Sequence, residues 1–101
     1  MNISITARKF KARQTLKDYI SSEVSGLEKY NDDIISADVK LSYLNSKESV
    51  KSAEIILQVP GQTLSATDDS DEFEKSVSSA IEKLTRQLKK LKTRRVLKAR
   101  W

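Results

Sequence analysis

Residues 35–43 read ISADVKLSY, and they decide the fold because apolar and polar side chains alternate without a break. A period of two is typical of a strand with one buried face, so we predict a strand over residues 34–44. The alternation returns in residues 53–59, which read AEIILQV, and residues 50–59 are predicted as the next strand. A polar hairpin loop over residues 45–49 joins the two strands.

Two shorter strands flank this pair. Asn2–Ala7 alternates in the same way and predicts a strand at the start of the chain. Pro60 and Gly61 suit the central positions of a type II turn, because proline presets φ and glycine accepts a positive φ. Residues 63–66 are therefore predicted as a fourth strand.

Residues 13–30 have the period of a helix. One apolar stripe recurs every three or four residues, and it consists of Leu16, Ile20, Val24, Leu27 and Tyr30. Arg13 stands at the start, where Ser, Thr or Asp would cap the helix better. Gly26 inside this helix costs about 1 kcal/mol relative to alanine.

The helical period returns from Asp69 onward. Its apolar stripe contains Phe73, Val77, Ala80, Ile81, Leu84, Leu88 and Leu91. Asp69 and Glu72 have the spacing of a capping box, and the acidic residues around them lie where a helix dipole favours negative charge. This acidic cluster comprises Asp68, Asp69, Asp71, Glu72 and Glu74, and we assign no chemistry to it.

The predicted order is β-α-β-β-β-α, which defines an α+β class. One apolar face on each strand and one apolar stripe on each helix favour a four-stranded sheet with two helices packed on one face, similar to a double-stranded RNA-binding domain (dsRBD-like). The other face is expected to be solvated through Lys40, Ser42, Ser52, Glu54 and Gln58. We expect one domain over residues 1–95 and a short basic tail over residues 96–101.

Composition excludes several classes of function. The 101 residues include no cysteine and no histidine, so disulfides, thiolate or imidazole metal sites and His-dependent catalytic triads are excluded. Two glycines cannot build a phosphate-binding loop. A Ser-Lys pair or a carboxylate dyad stays arithmetically possible, but we predict a non-enzymatic protein without a cofactor, metal or small-molecule substrate.

The N-terminus lacks an apolar signal region and no stretch suits a membrane span, so we expect a cytoplasmic protein. We also expect it to be monomeric when free.

Charge is segregated along the chain. Of 19 Lys and Arg residues, nine follow Glu82, and no acid follows it. Such segregation indicates a polyanionic partner or a basic tail. The predicted RNA-binding residues comprise an early basic cluster and the second helix: Arg8, Lys9, Lys11, Arg13, Lys17, Lys83, Arg86, Lys89, Lys90, Lys92, Arg94 and Arg95.

At about 100° per residue, the second helix can be laid out with Leu84 at the centre of its buried stripe. One flank then carries a basic row of Lys83, Arg86, Lys90 and Arg94. Lys92 falls on the other flank, and Lys89 points nearly away from the core. The basic row could face a groove between the helices or the exposed helical surface, and the early basic cluster could extend it. Such a row can match phosphates along an RNA backbone, while a solvated helix without a partner is the alternative.

The aromatic residues are scattered and form no predicted stacking platform of the kind found in RRM domains. Tyr30, Tyr43 and Phe73 have inward spacing and are predicted to lie in the core.

Three motifs resemble those of the ribosome hibernation-promoting factor and ribosome-associated inhibitor family, also labelled as sigma-54 modulation proteins. They are LEKY at residues 27–30, GQTLSA at residues 61–66 and AIEKLTRQLKKLK at residues 80–92. The resemblance covers residues 1 to 95 and includes the order of strands and helices. Because the chain ends soon after the second helix, it is most similar to the short hibernation factors.

The resemblance implies a function. A member of this family is expected to bind 16S rRNA in the decoding channel of the small ribosomal subunit, with neighbouring ribosomal proteins as contacts. There it would block mRNA and the A-site and P-site tRNAs, and so silence translation in stress or stationary phase. Two alternatives stay open: a general double-stranded RNA-binding module, and a transcription modulator linked to a sigma factor. Binding to free duplex RNA or to RNA polymerase would distinguish them.

Overall fold

The structure, a computed structural model, describes residues 1–44 and 49–99, with side chains described as far as Leu91. The elements follow the predicted α+β order. They are β1 (Asn2–Ala7), α1 (Gln14–Ser25), a short 3-10 helix (Gly26–Lys29), β2 (Ser36–Tyr43), β3 (Lys51–Val59), β4 (Gln62–Ser70) and α2 (Phe73–Ala99).

The four strands form one mixed sheet in the order β1-β2-β3-β4. β1 and β2 are parallel, as the intervening helix requires, while β2, β3 and β4 pair antiparallel. α1 contacts β1, and α2 lies across β3 and β4, so both helices cover the same face of the sheet and pack against each other. This arrangement confirms the predicted fold class.

The buried face consists of the side chains that the alternation predicted, except Ile35, which precedes β2 and is 52% exposed. Val39 pairs with Ile55, and Ile55 pairs with Ala66, so apolar residues of three strands meet in one row. Leu84 is fully buried against them and lies at the centre of the α2 stripe, as predicted. The burial of each aliphatic side chain of this kind stabilises the fold by about 1.5–3 kcal/mol.

The turn between β3 and β4 agrees with its sequence. Gly61 has a φ of +84°, the value that the second central position of a type II turn needs. The preceding hairpin, between β2 and β3, closes with a hydrogen bond of 2.9 Å from the Leu44 amide to the Val50 carbonyl. Most of the loop predicted over residues 45–49 lies outside the described residues.

β4 is longer than predicted, and the predicted capping box is wrong. The strand runs from Gln62 to Ser70 because residues 67–70 continue the antiparallel pairing with residues 51–54. Asp69 therefore belongs to the strand, and α2 begins only at Phe73. The turn between them is held instead by the Ser70 hydroxyl, which accepts a hydrogen bond of 3.2 Å from the Glu72 amide.

The first helix is shorter than its apolar stripe. The α-helical pairing ends at Ser25, and residues 26–29 continue as a 3-10 helix that keeps Leu27 buried. The change occurs at Gly26, whose preference for a helix is weak. The predicted helix over residues 13–30 is thus two elements with one shared buried side.

The open face of the sheet is mostly polar, although Ile56 also lies on it, and one residue departs from the prediction. Gln58 is exposed, and Lys40, Ser42 and Glu54 are half-buried, but Ser52 is buried at 6% exposure. Ser52 pairs laterally with Ser42 and Asp69, and its short side chain lies between these neighbours in the central part of the sheet.

Three aromatic rings that the sequence leaves scattered come together at one end of the fold. Phe10 stacks on Phe73 with centroids 5.0 Å apart and an interplanar angle of 12°. Tyr43 meets Phe10 at 5.0 Å and the edge of Phe73 at 5.3 Å. Phe73 is buried as predicted, whereas Tyr30 and Tyr43 are only partly buried. The aromatic cluster joins the β1–α1 connection, the end of β2 and the start of α2.

Arg13 occupies the N-cap of α1 and makes no capping hydrogen bond with its side chain. Replacing Arg13 with Ser is expected to raise the free energy of unfolding by about 1 kcal/mol, because a hydroxyl can accept a hydrogen bond from a first-turn amide. Urea denaturation of Arg13→Ser and of Arg13→Ala measures this gain. Equal stability of the two variants would contradict the capping argument.

Candidate nucleic-acid interface

The basic side of α2 lies along the outer edge of β4. Lys83 donates a hydrogen bond of 3.0 Å from Nζ to the Thr67 carbonyl, and one turn later Gln87 donates from Nε2 to the Ser65 carbonyl at 2.9 Å. α1 packs on the other side of α2, where the Lys89 ammonium lies 5.6 Å from the centroid of the Tyr30 ring. Of the two orientations that the sequence left open, the structure therefore places the described part of the basic row, Lys83, Arg86 and Lys90, on the exposed outer surface.

Lys83 has partners within the fold. Its Nζ lies 3.3 Å from Asp68 Oδ2, so a residue of the acidic cluster pairs with the first residue of the basic row. The pKa of Asp68 is lowered, chiefly by the hydrogen bond from the Asp69 amide and further by Lys83. The alternation of side chains along β4 places Asp68 on the side that faces the helices. This position was not predicted, because the capping box assigned the neighbouring residues to the start of α2.

Arg86 and Lys90 have a different environment. Both side chains are exposed. Among residues 1–44 and 49–91, no carboxylate lies within ion-pair distance of either one. They are separated by four residues, about 6 Å along the helix axis. This pair is the part of the basic row whose charge is available to an external anion.

The early basic cluster lies at the opposite end of α2. Lys11 and Arg13 line a cleft of about 550 Å³ together with Asp71, Glu72 and Glu74 from the start of that helix. Arg8, Lys9, Lys11 and Arg13 are exposed, whereas Lys17 is half-buried. Along the axis, Phe73 is about 15 Å from Lys83, the first residue of the basic row, and about 25 Å from Lys90. The structure therefore does not bring this cluster and the basic row into one continuous patch.

The last turns of α2 extend past the sheet. Lys83 lies opposite Thr67 and Gln87 opposite Ser65, so four helical residues match two residues of β4. At the same spacing, residue 91 is expected opposite residue 63, next to Gln62, the first residue of the strand. The backbone of residues 92–99 continues for about 12 Å beyond it, across the predicted boundary at residue 95. The side chains of Lys92, Arg94 and Arg95 lie outside the described residues.

The two faces of the fold differ in charge. Among the paired residues of the described strands, the open sheet face carries three acids, Asp38, Glu54 and Asp69, and one cation, Lys40. Asp71, at the start of α2, is paired with Lys75 at 3.1 Å, and this hydrogen bond lowers the pKa of Asp71. A polyanion is therefore attracted to the outer side of α2 rather than to the open sheet.

Other kinds of site find little support. Across the part of the chain that the structure describes, no group of acidic side chains has the geometry to hold a metal ion. No helix within the same residues is both long and apolar enough to cross a membrane.

The fold and the one-sided charge of α2 define a small α+β domain suited to a polyanionic partner. Residues 3–96 match the family described as Sigma 54 modulation protein / S30EA ribosomal protein. The chain belongs to this family, as its motifs indicated.

Named relatives support the same assignment. The chain is 28% identical over 92 residues to the ribosome hibernation promotion factor of Deinococcus radiodurans and 29% identical over 96 residues to that of Bacillus subtilis. These matches cover 89% and 93% of the chain but only 48% and 50% of the relatives, so the chain spans about half their length. The ribosome hibernation promoting factor of Pseudomonas putida is 27% identical, with 91% of the chain and 87% of that protein covered.

Solved structures share the fold. A ribosomal subunit interface protein from Coxiella burnetii has a TM-score of 0.83 at 24% identity, over 92% of this chain and 99% of that one. The N-terminal domain of Thermus thermophilus Protein Y has a TM-score of 0.80 at 25% identity, over 90% and 99%. The hibernation factors among the relatives are named for a role at the ribosome rather than for a catalysed reaction, which agrees with the prediction of a non-enzymatic protein.

Proposed function

We propose that this chain is a ribosome hibernation factor. It binds 16S rRNA in the decoding channel of the small subunit, blocks mRNA and the A-site and P-site tRNAs, and so silences translation in stress or stationary phase. The observation that carries this proposal is the exposed Arg86–Lys90 pair on the outer side of α2, in a chain whose relatives are named as hibernation factors.

The mechanism is steric occlusion with electrostatic docking. The RNA contacts are proposed for the residues predicted from the sequence except Lys83, whose charge is paired with Asp68 within the fold. α2 supplies the central contacts through Arg86, Lys89 and Lys90. Each neutralised phosphate releases counterions, so the affinity falls as the salt concentration rises. Each contact adds about 0.7–0.9 to the magnitude of the slope of log K against log salt. Contacts from cations on one side of a helix recognise the shape of the RNA backbone and depend little on the base sequence.

The partner is the small ribosomal subunit, including ribosomal proteins next to the rRNA. The chain binds it as a monomer from the cytoplasm, where idle subunits are available. The negative open face of the sheet points away from the rRNA, which reduces repulsion between its carboxylates and the phosphates.

A sucrose-gradient profile tests the proposal. We expect the full chain to sediment with small subunits, and mRNA plus initiator tRNA to displace it because all of them occupy the same channel. Retention of the chain when mRNA and tRNA are bound would contradict the location in the decoding channel. Binding to a free RNA duplex as tightly as to subunits would favour a general duplex-binding module, and subunit-independent binding to RNA polymerase would favour a transcription modulator.

A further inference from the structure

Lys83 and Gln87 both donate hydrogen bonds to the edge of the sheet. Both side chains leave the same flank of α2, one turn apart, and both end on main-chain carbonyls of β4, at Thr67 and Ser65. These carbonyls lie on the edge strand of the sheet, and an edge strand has no further strand to satisfy its polar groups. We call these two side chains, with Asp68, the edge clamp.

Two hydrogen bonds on one flank of α2 can limit the rotation of the helix about its axis. A helix that lies across a sheet through an apolar stripe can roll by a fraction of a turn without losing much burial, because apolar contacts are not directional. Hydrogen bonds have narrow angular limits, and two of them on one flank resist this roll. Arg86 lies one residue before Gln87 and Lys90 three residues after it, so any roll of the helix redirects both cations.

We propose that Lys83 is a positioning residue and not an RNA contact: with Gln87 and Asp68 it fixes the rotation of α2 and so directs Arg86 and Lys90 towards the phosphates. This inference rests on the proposed function for the identity of the target. Two contacts within the fold carry it, because the Lys83 ammonium has both the Thr67 carbonyl and the Asp68 carboxylate within 3.3 Å. An RNA phosphate would have to replace these acceptors to use the same charge.

A glutamine at position 83 separates the two roles. Gln87 shows that a glutamine on this flank reaches a β4 carbonyl, at 2.9 Å. Lys83→Gln therefore keeps a donor for the Thr67 carbonyl but carries no charge for a phosphate. Lys83→Met removes both the donor and the charge, and Lys90→Gln is the matched control because it removes one exposed charge without a partner in the described fold.

The experiment measures the affinity of the full chain for small ribosomal subunits at several KCl concentrations. Lys90→Gln is expected to weaken binding about tenfold, as for a lost charged hydrogen bond, and to reduce the salt slope by about 0.7–0.9. Lys83→Gln is expected to bind within about twofold of the original chain with an unchanged slope. Lys83→Met is expected to weaken binding while the slope stays unchanged, because the number of phosphate contacts is preserved and their alignment is lost.

Two outcomes would overturn the inference. If Lys83→Gln loses as much affinity and slope as Lys90→Gln, Lys83 is an RNA contact. If Lys83→Met binds like the original chain, the edge clamp does not position the helix. Amide hydrogen exchange of the free protein distinguishes failure of the inference from failure of the proposed function. Faster exchange in β4 and α2 of Lys83→Met, with normal exchange restored in Lys83→Gln, supports the edge clamp even if subunits are not the target. Unchanged exchange in Lys83→Met contradicts the edge clamp.

Discussion

Reversing Arg86 and Lys90 to glutamate is expected to abolish co-sedimentation with small ribosomal subunits while the fold stays intact. Both side chains are exposed on the outer side of α2, and neither has an ion-pair partner among the described residues. Each reversal removes one attraction to phosphate and adds one repulsion. With about 1.5–3 kcal/mol for each lost charged hydrogen bond, the two substitutions weaken binding by at least about a hundredfold.

The control is a pair of reversals with the same change in net charge. Lys40 lies on the open sheet face and Lys75 near the start of α2, and neither belongs to the predicted RNA-binding residues. Lys40→Glu with Lys75→Glu is expected to retain most of the binding, and thermal unfolding should show both double variants folded. If both double variants lose binding equally, net charge rather than the position of Arg86 and Lys90 determines affinity, and the proposed interface is wrong.

The regular parts of the fold could be predicted because each had one unambiguous period. The alternation in residues 37–41 and 53–59 identified the buried side chains of β2 and β3, whereas Ile35, at the start of the same pattern, is exposed. β4 was harder, because residues 67–70 are Thr, Asp, Asp and Ser, which have low strand propensity apart from threonine. Their pairing partner, the start of β3, provides the hydrogen bonds that override this propensity. A local rule for helix capping therefore assigned Asp69 to the wrong element.

The candidate site was predictable in part for the same reason. Helical periodicity placed Lys83, Arg86 and Lys90 on one flank, and the structure agrees. It could not distinguish Lys83 from Lys90, because the difference arises from Asp68, fifteen positions earlier and on another element. The aromatic cluster was missed for a similar reason: its three rings are about thirty residues apart in sequence, and only the folded domain brings them together. Contacts across elements leave no periodic signal in a single sequence.

The largest effect on stability is expected at Phe73. Replacing it with alanine should lower the free energy of unfolding by about 3–5 kcal/mol, because a buried aromatic side chain is lost and a cavity remains. Phe73 is 6% exposed, stacks on Phe10 and makes an edge-to-face contact with Tyr43, so the substitution also removes two aromatic contacts. A loss of this size is a large fraction of the roughly 5–15 kcal/mol that stabilises an ordinary domain. Urea denaturation monitored by circular dichroism measures it.

Two further variants separate burial from aromatic contact. Phe73→Leu keeps much of the side-chain volume and should lower the free energy of unfolding less than Phe73→Ala. The loss that remains in Phe73→Leu measures the aromatic contacts, which are worth about 0.5–1.5 kcal/mol each. Ile35 is 52% exposed, and Ile35→Ala should change stability by no more than about 0.5 kcal/mol. If Phe73→Ala costs no more than Ile35→Ala, the aromatic cluster does not hold the start of α2. Because the cluster lies about 25 Å along the helix from Lys90, the folded fraction of Phe73→Ala should still bind subunits, whereas the reversal of Arg86 and Lys90 leaves a stable protein that does not.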